Sequence, residues 1–311
     1  MRLSVLAFLT ITLLITGCAR VSTTSTLAAD GSFQRKVVYT VNPSPAGTGQ
    51  KPVDAASLFR LPKDGAGIRV ETKTDAKGVQ TVTVERTVAK GSPALNDITL
   101  LDDKGQPLAT STVTVTTLND GALEYKETLH YAGAEKAETK GQTEQLRAAV
   151  KKALPTQYQK TELIDSATHK ALVAAVHVLF GPAEPTFGDI MVNHDGAERR
   201  VVRLLFTAYA TALHEAIPDM TSVECDEVAR NVVKAFGIDQ MNMDPAAAGN
   251  PEKTSNSSQN DMTPLFFLVA TTGKIVETNG IIDPLDGKVY WSLFTPSLQV
   301  EDVTLRLVVK P

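Results

Sequence analysis

The chain of 311 residues carries 31 Lys plus Arg against 35 Asp plus Glu, a formal charge of −4, and 42% hydrophobic residues. That mixture excludes wholesale disorder, and without a clustered basic excess it argues against nucleic acid as a partner. Two cysteines, Cys18 and Cys225, are too few for a disulfide framework.

Residues 1–18 read MRLSVLAFLTITLLITGC. Arg2 precedes an uncharged apolar run from Leu3 to Ile15, and small residues follow before Cys18, which is the layout of a secretory signal peptide. The run is roughly 20 Å long as a helix, short of the roughly 30 Å hydrocarbon core of a bilayer, so a permanent transmembrane anchor is disfavoured. The ending Ile15-Thr16-Gly17-Cys18 resembles the lipobox of bacterial lipoproteins, with Ile15 standing where Leu is commonest. The resemblance covers only this segment. It implies cleavage after residue 17 and covalent lipid on Cys18, diacylglycerol and palmitate being the expected groups. It also implies an exported chain attached to the cell envelope through its acylated N-terminus. An Asp after the Cys favours inner-membrane retention in Gram-negative lipoproteins; Ala19 stands there, so in such a source the resemblance implies the outer membrane. No other cofactor is expected. More than one acyl chain is needed for a stable anchor, each buried methylene contributing about 0.8 kcal/mol.

From Ala19 to about Gly31 the chain is rich in Ser, Thr and Ala without an apolar period, which predicts a flexible tether, with residues 18–32 as lipidated Cys and tether. Phe33 to Val41 reads as a strand, Asn42 to Gln50 as a loop, and residues 33–132 as a β-rich domain. Val82, Val84 and Val88 alternate with Thr81, Thr83, Glu85 and Thr87, the pattern of a strand with one wet face. Val113 with Val115, and Leu123, Tyr125, Leu129 and Tyr131, mark further strands. Asp75-Ala76-Lys77-Gly78, Asp102-Asp103-Lys104-Gly105 and Asn119-Asp120-Gly121 supply tight turns between them. Such short connections predict an antiparallel meander or sandwich.

After Ala132 the period lengthens to about 3.6 residues. Helices are expected at about Thr143 to Leu154, Glu162 to Phe180, Glu198 to Ile217 and Val223 to Phe236, with Thr221 and Glu224 as a capping box for the last. The third is apolar almost all round and should be the central one. Residues 238–263 read as a mobile loop. Strands return at Leu265 to Thr271, Lys274 to Thr278, Lys288 to Phe294 and Val303 to Val309, either pairing among themselves or completing the N-terminal sheet. The fold class is therefore α+β, with residues 133–311 as a helical region carrying C-terminal strands.

Motifs for chemistry are sparse. His169 and His177 lie on one helix but eight residues apart, about 12 Å of rise and roughly 80° of rotation, so they read as a surface and an interface histidine. His214-Glu215 begins like the zinc-protease sequence His-Glu-x-x-His, but Pro218 occupies the second ligand position. Glu224, Asp226 or Glu227 across the next turn would have to replace that ligand. An envelope hydrolase, metal-dependent or not, built on His214 and the Glu224 to Glu227 neighbourhood is the alternative to a binding or scaffolding role. No metal is assigned. Asn193-His194-Asp195-Gly196 lacks the calcium-loop ligands and reads as a turn into the third helix. Arg199, Arg200 and Arg203 near that helix's N-terminus oppose its dipole and could meet an anion or an acidic envelope partner; ion pairs with the chain's own carboxylates are the plainer reading. Cys225 shares an apolar face with Val228, Val232 and Phe236, a buried thiol with acidic neighbours. Trp291 with Tyr290 and Phe294 could floor a groove, although a lone Trp in a strand is usually core.

Overall fold

The computed structural model describes residues 19–43, 53–65, 67–102, 104–133, 137–180, 194–235, 263–295, 298 and 301–311; within these, the side chains of 137–142, 179–180, 194–201, 235 and 294 are outside the description. The architecture is α+β, and the chain divides into two compact units. One is a β sandwich built from both ends of the described chain. The other is a helical unit inserted between them.

The sandwich comprises β1 (Ala19–Leu27), β2 (Phe33–Val41), β3 (Ile68–Thr74), β4 (Gln80–Val88), β5 (Leu95–Leu101), β6 (Pro107–Thr117), β7 (Leu123–Tyr131), β8 (Pro264–Thr271), β9 (Lys274–Thr278), β10 (Ile281–Ile282), β11 (Val289–Phe294) and β12 (Val303–Lys310), with a short helix α1 (Ala55–Leu58). One sheet has the order β10-β11-β8-β1-β2-β4-β3 and the other β5-β6-β7-β12-β9. All pairs are antiparallel except β1 with β8. Inward residues of both sheets, among them Val21, Val37, Val84, Tyr125, Phe267, Trp291 and Leu307, form one continuous core. The predicted turns form as read. Asp75 Oδ1 accepts from the backbone N–H of Lys77 and Val79, and Gly78 follows at φ +82°, a left-handed conformation that an L side chain resists.

Two expectations are corrected. The segment read as a tether is β1, a central strand paired with β2 along its whole length and with β8 from Val21 to Leu27. Its burial alternates without a break, but two of its inward residues are Thr23 and Ser25, so no apolar period is visible. The domain assigned to residues 133–311 divides: of the two pairings open to the C-terminal strands, they join the N-terminal ones, β8 and β11 extending the first sheet and β12 and β9 the second, so the sandwich takes its strands from both sides of the helical insertion. The predicted loop at 238–263 lies outside the described residues except for Thr263.

Register fixes what each end of the sandwich carries. Ala19, Val41, Gln80 and Thr74 align at one end of the first sheet, with Pro264 and Phe294 close by. Leu27, Phe33 and Val88 align at the other. Gly31, beyond Leu27, lies against Leu123 of the second sheet, so Leu123 and Val309 belong to that far end and Tyr131 and Val303 to the near one. The chain thus leaves the sandwich at Gly133 and re-enters it at Thr263 at the end where β1 begins.

The helical unit contains α2 (Ala137–Ala153), a 3-10 turn at Thr156–Tyr158, α3 (Thr161–Phe180), α4 (His194–Ala216) and α5 (Ser222–Ala235). Helix α4 packs on both α3 and α5, as its apolar character predicts, and buries Leu205, Tyr209 and Leu213 at i, i+4 spacing. His194 to Gly196 already belong to this helix and are not a turn leading into it. Arg147 Nε donates to Asp165 across α2 and α3 at 2.6 Å, and Tyr158 Oη donates to the Asp219 carbonyl at 2.9 Å. Among the described residues no helix is long and apolar enough to cross a membrane.

Candidate functional site

Cys18 itself lies outside the described residues, but its peptide neighbour does not. Ala19 is buried and is the first residue of β1.

The residues nominated for chemistry in the helical unit are held in other ways. The capping box forms: Glu224 N–H donates to Thr221 Oγ1 at 3.3 Å, and Glu224 Oε2 accepts from the Thr221 backbone and hydroxyl at 2.9 Å each. Glu224 Oε1 accepts from Gln157 Nε2 at 3.4 Å, so this carboxylate is committed to structure. His214, Glu215 and Glu227 are exposed, and Glu215 pairs with Lys170 of α3 at 3.6 Å. Among the described residues, no group of three or more His, Cys, Asp or Glu side chains is arranged to hold a metal ion. Arg203 is exposed; the side chains of Arg199 and Arg200 lie outside the description. His169 is exposed and His177 half-buried, as their helix positions predict. Cys225 is a buried free thiol whose pKa is raised by burial, with Asp226 and Glu224 adding to the shift. Trp291 is core, its indole N–H donating to Asn279 Oδ1 at 3.0 Å, while Tyr290 and Phe266 are partly exposed on the outward face of the first sheet.

The strongest polar constellation is one that sequence reading missed. Arg35 of β2 is completely enclosed between the sheets. Its Nε donates to Asp97 Oδ2 of β5 at 2.6 Å, its Nη2 to Glu127 Oε1 of β7 at 2.8 Å, and its Nη1 to Tyr125 Oη at 2.8 Å, Ser25 Oγ at 2.9 Å and Glu127 Oε2 at 3.1 Å. Tyr125 Oη passes its own proton toward Glu127 Oε2 at 2.8 Å. Arg86 of β4 brings Nη2 within 2.8 Å of Asp97 Oδ1, at ion-pair distance but without hydrogen-bond alignment. Two guanidinium groups and two carboxylates thus balance in charge. Burial alone would lower the Arg35 pKa; Glu127, Tyr125 and Asp97 overcome it and hold the guanidinium charged. Burial also pushes the Tyr125 phenol well above its ordinary value, with Glu127 acting in the same direction and Arg35 against it.

This cluster can orient and cross-brace, since its charges are paired and closed off from water; it offers no nucleophile and no open face. The signal for it was present. Arg35 sits in phase between Phe33 and Val37, and Glu127 in phase between Tyr125 and Leu129, so each is a charge on the inward side of an alternating strand. Comparisons with protein-family models, with curated proteins and with solved structures each find no match to this chain.

Proposed function

We propose that the chain is an exported, acylated lipoprotein, attached to the cell envelope through Cys18, whose sandwich and helical units act by binding or scaffolding rather than by catalysis. The observation that carries the reading is Ile15-Thr16-Gly17-Cys18 closing a short apolar run. A non-catalytic body is supported by how its reactive residues are used: Glu224 caps a helix, Cys225 is buried, and the ionised cluster around Arg35 is sealed between sheets. The test is metabolic labelling with a radioactive fatty acid in a bacterial host. The native chain should carry label and Cys18→Ser should not; label persisting in Cys18→Ser refutes the anchor.

A further inference from the structure

The lipid anchor and the first core strand are adjacent in the chain, and this decides which part of the protein meets the membrane. A flexible tether over residues 19–31 would hold the body off the bilayer by roughly 20 Å, taking about 5–6 Å times the square root of its length. The structure removes that tether. Ala19 is buried and paired with Val41, and one peptide unit, about 3.8 Å between Cα atoms, separates it from Cys18. We propose that the acylated chain holds one end of the sandwich directly against the phospholipid headgroup layer: the end bearing Ala19, the Asp75 to Gly78 turn and the Asp102 to Gly105 turn.

The inference rests on the lipid-anchor reading and adds an orientation to it. The register places the Asp75 to Gly78 turn beyond Thr74 and Gln80, level with Ala19, and the Asp283 to Gly287 turn at the opposite end, beyond Val289. Nine residues of β1 at about 3.3 Å each set these ends roughly 30 Å apart. Described charges at the near end are mixed, with Lys77 and Lys104 beside Asp75, Asp102 and Asp302, so the acyl chains and not a basic patch hold it there. Both connections to the helical unit, at Gly133 and Thr263, leave from this same end.

The test uses the full chain, purified in its acylated form and reconstituted in vesicles of phosphatidylethanolamine and phosphatidylglycerol that carry a headgroup nitroxide. A fluorophore is placed by Lys77→Cys at the near end or by Leu285→Cys at the far end, where Leu285 is 94% exposed; Cys225 is buried and does not compete. Quenching should be several-fold stronger at position 77 than at 285. A 20-residue Gly/Ser insertion between Cys18 and Ala19 should largely abolish the contrast. Equal quenching at the two positions in acylated protein overturns the apposition and leaves the anchor standing. Absence of the acyl mass on Cys18 overturns the anchor reading and the apposition with it.

Discussion

Removing the guanidinium at the centre of the sandwich tests whether its buried charges are held by mutual pairing. In Arg35→Met, Asp97 and Glu127 lose three donated contacts, and Ser25 and Tyr125 one each, while both carboxylates remain fully enclosed. Glu127 keeps only the Tyr125 hydroxyl and Asp97 keeps Arg86, so the balanced cluster acquires one net negative charge. Breaking a buried pair in this way costs about 3–5 kcal/mol, because the abandoned charge keeps its desolvation penalty. For a unit of this size that is a fall in Tm of roughly 6–20 °C. Trp291, the only tryptophan, lies in β11, so its fluorescence during urea denaturation reports the sandwich separately from the helical unit. The double variant Arg35→Met with Glu127→Leu leaves Asp97 and Arg86 as a neutral pair and should recover most of the loss, a coupling that a double-mutant cycle measures directly. A loss below about 1 kcal/mol for the single variant, or a double variant as unstable as the sum of its parts, would refute the reasoning.

Thr221→Ala should destabilise the helical unit by about 0.5–2 kcal/mol, read from far-UV circular dichroism melting, because it removes the hydroxyl that accepts from Glu224 N–H and donates to Glu224 Oε2. Cys225 should react with iodoacetamide at pH 8 far more slowly in the native chain than in urea, its thiol being enclosed and its pKa raised by burial; equal rates would mean that the α5 core face opens readily.

Sequence periodicity was informative wherever a strand or helix is built from apolar residues on one side. The Val82, Val84 alternation, the Asp-to-Gly turns, the Thr221 to Glu224 capping box and the buried position of Cys225 are local properties, set by backbone sterics and by which side chains water rejects. β1 escaped because Ser25, one of its inward residues, accepts from Arg35: a polar residue facing the core looks like a tether until its partner is known. In the His214 neighbourhood the residue types suited chemistry; in the fold Glu224 satisfies the end of its own helix and His214 is exposed.

By itself the sequence carried the α+β class, most element boundaries and the Ile15-Thr16-Gly17-Cys18 motif on which the proposed anchor rests, since each depends on neighbours within a few residues. Only tertiary structure decided that strands from both ends of the chain share one sandwich and that Arg35, Asp97 and Glu127 meet at its centre. Those contacts join positions 62 and 92 residues apart, and no local pattern records which strand will lie opposite. Tertiary structure likewise made residues 19–27 a core strand, because a strand hydrogen-bonded on both sides cannot act as a flexible spacer.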